Sequence, residues 1–225
     1  VNLYLDGMKA AKEAGVAVFA HCEDKALVRG GCINAGEKAV ELGLNGISNA
    51  VEDVITARDI FLAKEAGVQL HLCHCSTSDS VSLVKMTKEM GLPVTAEVCP
   101  HHFTMSDDEI PSDDADYKMN PPLRSREDVR ALKEGLKHGM LDVIATDHAP
   151  HSKEEKERSF RESPFGIVGL ETAFALSYTE LVEGGILSLM DLVRKMSCNP
   201  AKILGIDKGG LKKGKAADIV IADTK

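Results

Sequence analysis

The sequence predicts an α/β protein built on a parallel sheet, and three observations predict it. A helical stretch ending near glycine, followed by a short β-rich run, recurs four times. Each run is four to eight residues long and apolar on both faces, as strands buried in a parallel sheet are. No hairpin turn signal separates one run from the next, so each connection is a helical crossover.

The chain opens on "VNLYLDGMKAAKEAG", where Leu3, Leu5, Met8 and Ala11 recur at helical spacing. The first run, "VAVFAHCED", follows at once. A second "KEAG" precedes "VQLHLCHCSTSDS", "KEMGL" precedes "PVTAEVCPHH", and "KHGML" precedes "DVIATDHAPH". Each glycine suits a helix C-terminus, where left-handed backbone is needed. Every run stops at ionisable groups: His21, then His74, then His101 with His102, then Asp147 with His148. A (β/α)₈ barrel gathers its chemistry at the C-terminal ends of successive strands in this way. A doubly wound sheet more often carries a glycine-rich phosphate loop after its first strand, and no GxGxxG occurs. The barrel is therefore expected, and with four strands evident the chain reads as a fragment of one.

Composition narrows the function. The formal charge of −8 and the scattered basic residues argue against a nucleic-acid partner. No apolar stretch is long enough for a membrane span, and no signal peptide is recognisable. The six cysteines, at 22, 32, 73, 75, 99 and 198, form no CxxC pair. They read as reduced, mostly buried small residues of a cytoplasmic protein.

Strand alternation selects inward-pointing candidates. His21 shares parity with Phe19 and Ala17, and Asp147 with Ala145 and Val143. His74 shares parity with Leu72 and Leu70, which predicts that His71 faces the helices instead. Two imidazoles and a carboxylate converging at a barrel mouth are the ligands of a catalytic zinc site with an open water position. Zinc brings the pKa of its water towards neutrality, and a carboxylate beside that water can move a proton. The competing reading is a structural polar cluster.

The segments "HCED", "HLCHCSTSDSV", "VTAEVCPHHF", "KMNPPLRSREDVRALKEGL", "DVIATDHAPHSKEEK" and "SPFGIVGLETA" resemble the class I, bacterial-type dihydroorotases of the amidohydrolase superfamily. The resemblance runs over nearly the whole chain, and "NPPLR" with "ATDHAPH" is its specific part. It implies the C-terminal half of a (β/α)₈ metal-dependent hydrolase barrel at 1–206, strands five to eight, and the start of a small flanking β-domain at 207–225. There Ile219, Val220 and Ile221 read as a strand. The resemblance assigns His21, His74 and Asp147 to a zinc centre that is binuclear in the intact enzyme. Asp147 is also its general acid and base. Asn120, His151, Phe165 and Gly166 are assigned to the substrate. The implied reaction is reversible hydrolysis of dihydroorotate to N-carbamoyl-L-aspartate in pyrimidine synthesis.

The family's first-strand HxHxR segment and its fourth-strand bridging ligand have no match here, so the chain reads as N-terminally truncated and inactive alone. A hydantoinase or allantoinase remains an alternative. So does an inactive dihydroorotase-like partner of aspartate transcarbamoylase, and the resemblance implies a homodimer. His101 and His102 read as structural, His138 as a helix C-cap and His148 as a supporting residue. "SDDEIPSDDAD" reads as a solvated turn, because it lacks the glycine and terminal glutamate of a calcium loop.

Overall fold

A computed structural model of the chain describes residues 1–224. In chain order the strands are β1 (Val18–Ala20), β2 (Ile33–Asn34), β3 (Gly46–Ile47), β4 (Leu70–Leu72), β5 (Val94–Val98) and β6 (Val143–Ile144). The main helices are α1 (Asn2–Glu13), α2 (Lys25–Val28), α3 (Glu37–Glu41), α4 (Ala50–Ala66), α5 (Ser78–Glu89), α6 (Pro100–Thr104), α7 (Arg126–Lys137), α8 (Lys153–Lys156) and α9 (Ala173–Ser177).

All four expected strands form, and they line up as β1-β4-β5-β6 with every pairing parallel. Each strand therefore lies beside its predecessor in the repeat. A doubly wound sheet would reverse that order at its switch point, whereas a sector of a barrel keeps it. The helices that precede the later strands end on glycine at positive φ, Gly67 at 65° and Gly139 at 74° among them. Side-chain caps start the helices: Thr77 Oγ1 accepts from Ser80 N at α5, and Ser125 Oγ from Asp128 N at α7.

Register assigns the two faces of the sheet. Phe19, His71 and Thr95 are aligned partners on one face, continued by Glu97 with Val143. Ala20, Leu72 and Ala96 are partners on the other, continued by Val98 with Ile144. The second face joins Ile60 and Ala63 of α4, Val84 of α5 and Leu132 and Leu136 of α7 in one core. It is the helix-facing side, and its burial supplies the main hydrophobic stabilisation.

Register thus corrects the expectation for His71, which lies on the face opposite the helices. There it bonds Thr95 Oγ1 at 2.8 Å and Glu97 Oε2 at 3.0 Å and packs on the Phe19 ring. Leu70 and Leu72, expected to mark the inward side, face the helices. The parity argument failed because β4 ends at Leu72, two residues before His74.

Other expectations also shift. Along α1 the buried stripe contains Met8, with Tyr4 and Ala11 against the core, while Leu3 stays 87% exposed. The run Ile219–Ile221 forms no strand and is largely exposed. A strand needs a partner for its backbone groups, and none of the described strands pairs with it. Asp107, read as part of a solvated turn, is buried and accepts from Asn34 Nδ2 at 2.7 Å.

The parallel pair β2–β3 interrupts the repeat between β1 and α4. Arg124 of "NPPLR" holds it to the barrel sector. Its buried guanidinium donates to Asn34 Oδ1, Ile47 O and Ser76 Oγ at 2.9–3.1 Å and lies 3.8 Å from Glu52.

Candidate metal centre and substrate loop

At the C-terminal end of the sheet, β1 delivers His21 and the turn after β4 delivers His74. His21 Nδ1 lies 2.9 Å from His74 Nε2, with the rings edge to face. His74 reaches this place on left-handed backbone, φ 36°, and its N–H donates to Glu97 Oε1 at 3.3 Å. The turn, and not strand parity, aims the ring. Burial lowers the His74 pKa and the neighbouring His21 adds to this, while Asp147, Glu52 and Glu97 oppose it.

Glu23 is a member of the site that sequence reasoning passed over, although it stands in "HCED". Its Oε2 accepts from His21 Nε2 at 2.7 Å and from Asn120 Nδ2 at 3.0 Å. Burial raises the Glu23 carboxyl pKa, but the bonds from His21 and Asn120 bring it below its ordinary value. The signal available in the sequence was its parity: Glu23 is two residues from His21 and could point the same way.

Asp147 also takes left-handed backbone, φ 48°, and is exposed at the mouth. Its charge is felt at His74 and Cys73. Among the described residues, its carboxylate does not gather with His21 and His74 into one three-ligand cluster. The structure therefore brings the two imidazoles together and leaves the aspartate beside them.

The substrate candidates His151, Phe165 and Gly166 do come together. His151 Nε2 donates to Phe165 O at 2.9 Å. Gly166 sits at φ 152°, and a Cβ there would lie 2.4 Å from Ala149 O and 2.8 Å from the His151 ring, so only glycine fits. Two lysines fasten this loop. Lys118 Nζ donates to Arg161 O and Ser163 O and lies 4.5 Å from the Phe165 ring centroid. Lys156 Nζ donates to Ala115 O, Lys118 O and Pro164 O. His148 supports the same loop by accepting from Gly169 N and Leu170 N.

A second gathering of donors lies deeper. Cys99, His101 and His102 bring one ligand atom each within 4.8 Å of one another, all buried. His102 Nε2 donates to Pro121 O at 2.9 Å, while His102 Nδ1 and His101 Nε2 have no partner. Burial raises the Cys99 thiol pKa well above its ordinary value and lowers that of the His102 imidazole well below.

The first pair fits a metal. A carboxylate can only accept, so Glu23 fixes the proton on His21 Nε2 and leaves the Nδ1 lone pair facing His74. Two imidazole nitrogens with a carboxylate behind one of them form part of an N/O metal site with its outer support in place.

A sequentially ordered parallel sheet with this site at its C-terminal edge defines a barrel hydrolase, and the chain belongs to the amidohydrolase family, whose profile matches residues 3–225. Among characterised proteins it is 49% identical to the dihydroorotases of Bacillus cytotoxicus and Bacillus cereus strain B4264. Those matches cover 99% of this chain and 52% of each relative, so the chain spans about half their length. Similar solved structures include a D-hydantoinase (dihydropyrimidinase) from a Thermus species, with TM-score 0.81 and 28% identity. Another is the dihydropyrimidinase of Brevibacillus agri, with TM-score 0.83 and 27% identity. Each alignment covers 95% of this chain and 49% of that structure. Among the described residues, no helix is long and apolar enough to cross a membrane.

Proposed function

We propose that this chain carries part of the active site of a zinc-dependent dihydroorotase, a full-length cytoplasmic protein that interconverts dihydroorotate and N-carbamoyl-L-aspartate in pyrimidine synthesis. The observation that carries the reading is the 2.9 Å approach of His21 Nδ1 to His74 Nε2 at the C-terminal edge of the sheet. In this reading His21, His74 and Asp147 hold zinc, and further ligands outside these residues complete a binuclear centre. When bound, zinc polarises the ring amide carbonyl and makes water a nucleophile near neutral pH.

This chain's own residues handle the proton and the substrate. Asp147 takes a proton from the attacking water and returns it to the departing ring nitrogen. Its exposure at the mouth supports that role. His151 and the backbone of Phe165 and Gly166 hold the substrate, with Asn120 against its ring. The chain by itself is inactive in this reading. The boundary between barrel and small β-domain lies at 206/207.

Identity of 49% to dihydroorotases, against 27% and 28% to the two hydantoinase-type structures, favours dihydroorotate as substrate. The TM-scores of 0.81 and 0.83 to the latter keep a hydantoinase as the second reading. The deciding experiment purifies the full-length protein, strips and restores zinc, and assays dihydroorotate, hydantoin and allantoin. Zinc-dependent turnover confined to dihydroorotate is expected. Preference for hydantoin, or turnover unaffected by zinc removal, would overturn the assignment.

A further inference from the structure

We infer that Glu23 is a positioning residue that couples the metal to the substrate contact, through one carboxylate oxygen shared between His21 and Asn120. The inference rests on the proposal above that His21 holds metal and Asn120 touches substrate.

Glu23 Oε2 is 2.7 Å from His21 Nε2 and 3.0 Å from Asn120 Nδ2. As a carboxylate it accepts both bonds, which settles two orientations at once. His21 carries its proton on Nε2 and offers Nδ1 as a lone pair. Asn120 turns its NH₂ towards Glu23 and its Oδ1 away. The two partners come from opposite parts of the chain, His21 from the end of β1 and Asn120 from the loop before α7, 97 residues from Glu23. Among the described residues the Asn120 side chain makes no other hydrogen bond, and Glu23 is the group that orients that amide.

Coupling follows from the shared atom. A metal at His21 draws electron density from the imidazole, makes Nε2–H a stronger donor and tightens its hold on Oε2. The carboxylate is then fixed where Asn120 needs it. By linkage, whatever orders Asn120 must strengthen metal binding by the same factor. A glutamine at 23 weakens the arrangement: its carbonyl oxygen can stand in the place of Oε2 but carries no charge, so it accepts both bonds less strongly and holds the His21 proton on Nε2 less firmly.

The test uses the full-length protein and zinc alone, with affinity read by competition against a chromophoric chelator. Outer carboxylates on ligating histidines are worth about 10–100-fold in metal affinity, and Glu23→Gln is expected to lose that much. Asn120→Ala is expected to lose a few-fold in the Glu23 protein and less in the Glu23→Gln protein, where the shared oxygen has lost its charge. Glu23→Asp should recover part of the loss, which a mere folding defect would not allow. Nitrogen-15 shifts of His21 in the zinc-free protein should report the Nε2–H tautomer, and Glu23→Gln should mix it with the other. Zinc affinity within twofold of wild type in Glu23→Gln, while His21→Ala loses zinc, would overturn the coupling and leave the metal assignment intact. Zinc affinity unchanged in His21→Ala would instead remove His21 from the metal site, and the coupling with it.

Discussion

Two pairs of histidines stand at the C-terminal edge of this sheet, and they differ in what surrounds them. His21 and His74 have ring centroids 4.8 Å apart, His101 and His102 4.2 Å apart. By number of gathered donors the second pair is the better cluster, since Cys99 joins it to make three. Charge and access reverse the ranking. The first pair has Glu23 on one ring and Glu97 under the backbone of the other, and the side chain of His21 is 43% exposed. The second pair is buried, among the described residues its one side-chain hydrogen bond goes to a backbone carbonyl, and burial pushes the Cys99 thiol pKa well up. A dication placed there would lose its hydration, with no carboxylate bonded to either imidazole. Gathered donor atoms therefore do not define a metal site unless compensating charge and a path from solvent come with them.

The sharpest break in that comparison is at Asp147, the carboxylate whose charge acts on His74 of the first pair. In the full-length protein Asp147→Asn should largely retain its zinc, because the amide oxygen can still ligate, and lose about 10²–10⁴-fold in turnover in both directions, since an amide cannot accept and return a proton. Metal analysis beside steady-state rates checks this, and a near-normal rate would take Asp147 out of the chemistry.

Zinc affinity comes next. His74→Ala should weaken it at least about 100-fold, because a first ligand is worth more than the outer-shell 10–100-fold. Cys99→Ser should leave it unchanged. Equal losses in the two variants would make the buried cluster a metal site after all.

The buried pair should announce itself in stability instead. Burial pushes the His101 imidazole from 6.5 down to about 4, and His74 adds to this. Between those values the unfolded chain binds a proton that the folded chain refuses. Stability is then complete above pH 6.5 and falls by about 3 kcal/mol as pH drops through that window to 4. Urea denaturation at pH 4.5 and 7, repeated on His101→Gln, should show the slope in the wild type and a smaller one in the variant.

The smallest effect concerns the loop beside the first pair. His151→Ala should raise KM about tenfold and change kcat less, because a contact remote from the reacting amide stabilises ground and transition states alike. An analogue lacking the substrate carboxylate should show a smaller loss. Equal losses for both compounds would mean that His151 acts by holding Phe165 O and shaping the loop.

Much of the scaffold was legible in the sequence because it rests on repetition. Glycine-terminated helices and short apolar runs recur, and the four strands they announce appear in order. The pair β2–β3 was not legible, since two-residue strands carry no periodicity. Alternation put His21 on the side of Phe19, and β1 runs almost to it, ending one residue before His21, which meets His74. It misassigned His71 because β4 stops at Leu72 and the chain turns before His74. Glu23, Lys118 and Lys156 act through contacts with distant segments, which local pattern does not report. Arg124 lay in a quoted motif, yet its role in clamping the β2–β3 pair depends on long-range burial.

His74 and Asp147 share the left-handed backbone with few other non-glycine residues, φ 36° and 48°. His21 does not share it. Left-handed backbone admits glycine, asparagine, aspartate and histidine far more readily than branched side chains. Selection on folding alone would thus hold positions 74 and 147 to a short list that already contains the present residues. A descendant that had abandoned catalysis could drift for a long time and still display His and Asp there. Position 21 has no such shelter, so a lineage that no longer used the site would forfeit its histidine there first. In sorting working copies of this gene from decayed ones, His21 is the more informative letter.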